Sequence, residues 1–596
     1  MSTTKIPARS EVQLADTWSV EVLYDSISAW EADFDTIDAK LAPLADSKGS
    51  LSSPEALAAF YTQEDELDRL LGRVYCYAHL RHDEDTADPT NQSNDGKIRA
   101  KYAQVMAGLA WTEPELLGLP DGTLEAWMKE DCLAPFRYQI EKLLRHKAHT
   151  LSEAEETLMS KASPILQAPS SIFSMLNNAD IRFNPVKDEN GDEQEMSHGR
   201  YVKFLESSDR TVRKAAFDSM YDTFGAHRNT LATTLGTKVK AHNFNADVRG
   251  FQSARHAALH QNFIPETIYD ALIEATHDAL PIYYDYMKLR ASALGLEKLD
   301  MYDMYVPMVA DAQMEISFDQ AREWILESCK PLGDEYCAAL KGAFDDRWID
   351  RYENHGKRSG AYSSGCYESY PYILMNYSGK LDDVFTLTHE LGHSMHSYLA
   401  NQNQSSRFAN YTIFVAEIAS TLNEALLLDY LLKTQPDPSL QAYLLNHLCD
   451  SFKGTVYRQT MFAEFEHMIH DMDAKQQPLT SDHLGQEYGK LNQLFYGPTV
   501  VPDEQIQLEW SRIPHFYYNF YVYQYATSFC ASQVLVKDVL AGKVDDYLNM
   551  LRSGGSGDSL GLVQQAGVDL SDASNFRSAF ETFQATVAKL GQAITT

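Results

Sequence analysis

The 596-residue chain is poor in cysteine, short of basic residues relative to acidic ones, and free of long apolar runs. Its seven cysteines are scattered at positions 76, 132, 329, 337, 366, 449 and 530. Their number is odd and no Cys-x-x-Cys occurs, which argues against a disulfide framework or a cysteine metal site and fits a reducing compartment. No stretch approaches the ~18 uninterrupted apolar residues of a membrane helix. No apolar segment follows the first nine residues, so no secretory signal is expected. The expectation is a soluble, cytoplasmic protein with no membrane partner. Basic residues number 51 against 84 acidic, a formal net charge of -33. Binding to phosphate backbones needs basic surface, so nucleic acid is excluded as a partner. The simplest role of the acidity is solubility, with steering of cationic substrates as the lesser alternative. Internal repeats and low-complexity segments are also lacking.

What is present is core material: 44% of residues are hydrophobic and 11% aromatic. That suffices for two or more domains or one large helical body. Three regions are expected in chain order: a helical region at 1–110, a helical region with a β-hairpin near 182–203 at 111–200, and a catalytic region at 201–596. Ile27, Trp30, Phe34, Ile37 and Leu41 recur at helical spacing, and Pro43 predicts a stop soon after Leu41. Ser53-Pro54-Glu55 reads as a helix start. Asn190-Gly191 between short runs signals the hairpin. The acidic residues around it lack the ligand spacing of a calcium loop. Asp209 suits the cap of a helix from Arg210. Mostly helix is expected again from 264 to 340. Pro371 to Tyr377 is strand-like; it could offer an exposed edge to a peptide or serve as buried scaffold.

The most specific run is His389-Glu390-Leu391-Gly392-His393. On a helix the two histidines stand one turn apart, about 6 Å along the axis, on nearly one face. Two imidazoles so placed can share a zinc ion, and Glu390 between them can act as a proton acceptor without being a ligand. Asp382-Asp383 suit the N-terminus of that helix. The helix is expected to run to about Ala400, and a second one from Tyr411 to Leu432. If the two are antiparallel, two turns out and two turns back bring Glu417 level with the histidines. That completes a His-His-Glu set with an open position, the composition of a catalytic zinc site. Glu424, two turns further on the same face, reads as a partner of a ligand more than as a ligand. His396 either orients His393 or packs. The metzincin pattern would need Gly at 396 and His at 399, where this chain has His396 and Leu399.

A second constellation lies between Arg512 and Tyr525. On a helix beginning near Pro514, His515, Tyr518, Tyr525 and, close by, Tyr521 would line one face. Donors of this type can meet the oxyanion that develops in amide hydrolysis. Tyr517 and Tyr523 read as core aromatics.

These residues together resemble the oligoendopeptidase F family, a branch of the thimet-oligopeptidase-like zinc metallopeptidases. The matching runs are Leu381 to Leu387 leading into the motif, Phe414-Val415-Ala416-Glu417-Ile418-Ala419-Ser420, and His515-Phe516-Tyr517. Weaker similarity reaches back through His198-Gly199-Arg200-Tyr201, so most of the chain is covered. The resemblance implies a mostly α fold, a large helical clamshell with a deep substrate channel and a small β element near the active site. It implies one zinc per chain held by His389, His393 and Glu417, Glu390 as general base, and His515 with following tyrosines as transition-state donors. The spacing after His515 is shorter here than in thimet-type enzymes, which leaves the choice among Tyr518, Tyr521 and Tyr525 open. The expected function is a zinc metalloendopeptidase that hydrolyses internal bonds of oligopeptides. The rivals are a zinc exopeptidase of carboxypeptidase type and a non-catalytic peptide-binding protein. Oligomeric state and cleavage preference are not encoded in any motif.

Overall fold

A computed structural model describes residues 6–309 and 314–595. Met1 to Lys5, part of the stretch read for a signal segment, lie outside the described residues, as do residues 310–313 within the helical stretch expected from 264 to 340. The fold is mostly α, with five short strands among the described residues. No described helix is long and apolar enough to cross a membrane.

The chain divides into two compact units. One comprises Met1–Thr150, Gln313–Tyr430 and Leu535–Gly567; the other Leu151–Ala312, Leu431–Val534 and Val568–Thr596. Each unit draws on distant stretches of sequence.

The first unit begins with N-terminal helices. The helix Ile27–Asp46 is capped by Ser26, whose hydroxyl accepts from Ala29 N, and it buries Trp30, Ile37, Leu41 and Leu44. It does not stop at Pro43 as expected but runs on to Asp46. Proline there removes only the bond to the Ala39 carbonyl, and Ala39 is exposed, so water can replace the lost donor. The following helix, Pro54–Glu84, starts at a Ser53 cap with proline in its first turn. Trp30 donates its indole N–H to Val74 O at 2.9 Å, joining the two helices inside a cluster that also takes Tyr372 and Leu374.

Those last residues belong to a three-stranded sheet formed by β3 (Ile349–Asp350), β4 (Tyr362–Ser364) and β5 (Tyr372–Leu374) in the order β3-β5-β4. β5 pairs parallel to β3, with Ile349 opposite Ile373, and antiparallel to β4, with Ser363 opposite Ile373. All three β5 residues are buried. Within the strand-like stretch only Tyr372–Leu374 is a strand; it is the central scaffold strand, with neighbours on both sides, and its edge is not open to a peptide. Asp350 at the end of β3 is fully buried and sits between Arg9 and Lys357, both at 2.6 Å. That ion cluster ties the N-terminal segment to the sheet.

In the second unit, β1 (Val186–Lys187) and β2 (Glu193–Gln194) form an antiparallel hairpin around Gly191, which takes the positive φ of the turn. Asp209 caps the helix Arg210–Ala226 by accepting from Thr211 N. The interior is aromatic: Tyr283 stacks on Tyr457 at 4.3 Å and Phe452 on Phe583 at 4.9 Å.

Candidate active site

The motif helix spans Leu381–Asn403, and the helix that returns beside it spans Ile413–Thr434. Asp383 closes the start of the motif helix by accepting from Lys380 N at 3.0 Å and Ser378 N at 2.8 Å. The motif helix is buried on several sides, through Val384, Leu387, Leu391, Met395 and Leu399 among others. Gly392 explains how its neighbour comes so near. A Cβ at that position would lie 2.6 Å from Ser420 Cα and 2.7 Å from Ala419 O. The two helices thus meet backbone to backbone at the centre of the motif, where only glycine fits.

That contact brings Glu417 to the histidines. One ligand atom from each of His389, His393 and Glu417 lies within 4.8 Å of the others. Glu417 Oε2 is 3.5 Å from His389 Nε2 and 3.9 Å from His393 Nε2. Two imidazole nitrogens and a carboxylate oxygen converging in this way are a donor set suited to zinc, and the residues present fit that ion. On the far side of His389, Nδ1 lies 2.5 Å from Glu424 Oε1. Glu424 thereby fixes the ring and leaves Nε2 facing Glu417. Burial opposes a charge on His389, but the Glu424 bond, with Glu390 and Glu417 nearby, lifts its pKa to about 9. Burial and the neighbouring His389 bring His393 down to about 3.

Glu390 is almost wholly buried. Burial raises its pKa; His389 lowers it, Glu417 raises it, and the backbone N–H of Ser363 on β4 offsets part of the rise by hydrogen bonding. Ser363 Oγ also pairs with Ser394 Oγ at 2.8 Å, so the short sheet is fastened to the motif helix beside Glu390. His396 points away from this set: it is fully buried and stacks on Tyr411 with 3.5 Å between ring centroids. Tyr411 donates to His393 O at 3.1 Å and shares a hydrogen bond with Ser397 at 2.8 Å. His396 therefore packs, and Tyr411 steadies the backbone at His393. Tyr411 and Ser363 were not singled out in the sequence; a tyrosine ahead of a helix and a backbone N–H on a short strand carry no local signal.

The tyrosine-rich cluster belongs to the second unit. The expected helix from Pro514 does not form. A short 3-10 turn covers Pro514–Tyr517, Asn519 and Phe520 then take positive φ of 56° and 57°, and an α-helix begins only at Tyr523. Phe520 N donates to the fully buried Glu466 at 2.7 Å, which pins this left-handed turn. The four expected rings nevertheless come together. His515 lies 5.6 Å from Tyr518, 6.3 Å from Tyr521 and 6.1 Å from Tyr525, centroid to centroid, and Tyr521 lies 5.4 Å from Tyr525. Tyr518 is exposed, and His515, Tyr521 and Tyr525 are half-buried. Burial and the charge of Arg458 hold His515 below its usual pKa. Tyr517 stacks on Phe173 at 4.4 Å and Tyr523 packs against Tyr269 at 5.3 Å, both as core.

A His-Glu-x-x-His helix with a glutamate supplied by the adjoining helix is the donor arrangement of a metal-dependent peptidase. Comparison with known proteins agrees in kind. The family Peptidase family M3 matches residues 203–582, and the family Oligopeptidase F matches residues 115–183. Oligopeptidase PepF of Bacillus subtilis (strain 168) is 44% identical over 585 residues, 97% of this chain and 87% of that protein. The plasmid-borne oligoendopeptidase F of Lactococcus lactis subsp. cremoris is 40% identical over 98% of each chain. Among solved structures, oligoendopeptidase-F from Enterococcus faecium superposes with a TM-score of 0.75 at 38% identity, covering 97% of this chain and 100% of that one. A structure from Chlamydophila abortus reaches a TM-score of 0.92 at 35% identity over 99% of this chain and 100% of that one. The chain belongs to peptidase family M3 and, within it, to the oligoendopeptidase F group.

Proposed function

We propose that this chain is a zinc metalloendopeptidase that cleaves internal bonds of oligopeptides. The observation that carries the reading is the convergence of His389, His393 and Glu417 within 4.8 Å beside a buried glutamate that is not itself in the set. His389 and His393, through Nε2, and Glu417, through Oε2, would hold one zinc ion. When bound, zinc supplies Lewis acidity, which lowers the pKa of water and polarises a peptide carbonyl.

The protein groups do the rest. Glu424 holds His389 in the orientation that presents Nε2. The Glu390 carboxylate takes the proton of the attacking water. Burial raises its pKa, which makes it a better acceptor than an exposed glutamate. The same carboxyl then returns that proton to the leaving amine. His515 and the hydroxyls of Tyr518, Tyr521 and Tyr525 are the proposed donors to the oxyanion of the tetrahedral stage. The substrate class follows the oligopeptidase names of the relatives, and a cytoplasmic site of action is part of the proposal.

Digestion of a peptide blocked at both termini tests the reading. Products cut at internal bonds are expected. Cleavage confined to peptides with a free terminus would make the chain an exopeptidase, and binding without cleavage would make it a peptide-binding protein.

A further inference from the structure

The second unit contains a cavity of about 310 Å³ lined by residues from several of its helices. In a chain of net charge -33, its lining is unusual in matching its acids with as many bases. Glu509, 3% exposed, receives two guanidinium groups on one oxygen: Arg458 Nη2 and Arg512 Nη2 each lie 2.6 Å from Oε1. Its other oxygen accepts from Tyr488 at 2.5 Å. Two arginines thus share one buried carboxylate, and the lining as a whole balances Arg458, Arg512 and Lys453 against Glu509, Asp450 and Glu206. Beside them Lys453 and Asp450 pair one to one at 2.6 Å. Asp450 and Lys453 both feel the charge of Arg290, which is 1% exposed. Arg290 donates to the carbonyls of Asp303 and Val306, and its Nη1 has no partner among the described residues. The remaining acid of the lining, Glu206, is exposed to solvent.

Arg512 Nε donates to Tyr221 Oη at 3.1 Å, and Arg458 Nη1 donates to Tyr305 Oη at 3.2 Å. Each phenol thus accepts from an arginine and keeps its own proton to give. Neither proton has an acceptor among the described residues, and Arg512 Nη1 also lacks one. Three donors therefore belong to a lining that also includes the apolar side chains of Phe217, Met301 and Met304 and the Tyr201 ring, over which the Arg512 guanidinium lies at 5.6 Å. An inorganic anion would satisfy the donors and leave those apolar walls against water.

We propose that this cavity is a binding site for a carboxylate with an apolar body, with the carboxylate on Arg512, Tyr221 and Tyr305 and the body against the aromatic and methionine wall. A volume near 310 Å³ matches the lower end of small-ligand pockets and suits one amino-acid residue. The same chemistry is offered by a free N-acylated apolar amino acid and by the C-terminal residue of a peptide. Occupancy would offset the charge of Arg458, which acts on His515, so the site would communicate with the tyrosine cluster. The inference stands apart from the zinc reading, because binding here needs neither metal nor Glu390.

The test is calorimetric titration of the full-length protein at pH 7 and low salt. The probes are N-acetyl-L-phenylalanine, its amide, the tripeptide Gly-Gly-Phe with a free carboxylate, and inorganic phosphate. The acid is expected to bind about tenfold or more tighter than the amide, the worth of one charge-assisted bond. Binding of the tripeptide as well identifies a peptide C-terminus as the ligand; binding of N-acetyl-L-phenylalanine alone identifies a free acyl amino acid. Arg512→Gln leaves Glu509 paired with Arg458 and is expected to lose about tenfold or more in affinity for the acid. If circular dichroism shows that variant unfolded, the double variant Tyr221→Phe/Tyr305→Phe carries the same expectation. Equal binding of acid and amide, binding of phosphate in their place, no binding at all, or an unchanged affinity in a folded variant would overturn the proposal.

Discussion

His389 is held from two sides, by Glu417 facing Nε2 and by Glu424 at 2.5 Å from Nδ1. The account gives the two glutamates different work, and substitutions separate them. Glu424→Ala frees the ring to rotate, and zinc affinity is expected to fall about 10- to 100-fold with the fold intact, measured by competition with a chromogenic chelator. Unchanged affinity would remove Glu424 from the site. Glu390→Gln is expected to keep zinc and lower turnover by at least about 10²- to 10⁴-fold, the range for loss of an acid-base group; retained turnover would refute its role as base. Replacing Tyr518, Tyr521 and Tyr525 in turn by Phe tests the donors. A true donor lowers kcat more than it raises KM, because its bond forms with the oxyanion and not with the ground-state carbonyl. If none of the three does so, the donor assignment fails.

At the scale of elements, Gly392 sets how closely the motif helix and its neighbour approach. Gly392→Ala would place a methyl group 2.6 Å from Ser420 Cα, where backbone cannot yield easily. A cost of about 1–3 kcal/mol is expected, read as a lowered melting temperature, together with weaker zinc retention as Glu417 is pushed off. This part of the site was legible in the sequence because helix geometry is local. The i, i+4 spacing fixes the histidines, and a short connection between antiparallel helices fixes Glu417. The 514–525 stretch shows the limit. Its rings cluster as expected, yet no continuous helix carries them, because Asn519 and Phe520 turn left-handed. A phenylalanine in that conformation has no local cause. It is held by Glu466, 54 residues earlier in the chain. Pro43 misleads in the opposite way: its penalty is real in an interior but small in a last turn beside an exposed carbonyl. The central place of β5 likewise has no local cause, because it depends on pairing with both β3 and β4.

For the molecule as a whole, buried titratable groups predict how stability varies with pH. Burial pushes the Glu466 carboxyl up to about 8, only partly offset by the Phe520 N–H, against 4.5 for an ordinary glutamate. The folded state then binds a proton that the unfolded chain has released, so this contribution is complete below pH 4.5 and is lost as pH rises towards about 8. Burial brings His470 down to about 4 from 6.5, and its contribution runs the other way, lost as pH falls from 6.5 towards about 4. Melting temperatures across pH 5 to 9 are expected to show wild type losing ground to Glu466→Gln as pH rises to about 8, with no further change above it. A constant difference would mean that Glu466 is ionised throughout. Beyond stability, the central claim is that His389, His393 and Glu417 hold a zinc ion on which hydrolysis depends. It is tested most directly by metal analysis of the purified protein, followed by chelation and titration back with zinc. One zinc per chain, loss of peptidase activity on stripping and its return with one equivalent are predicted; full activity in the metal-free protein would contradict the account.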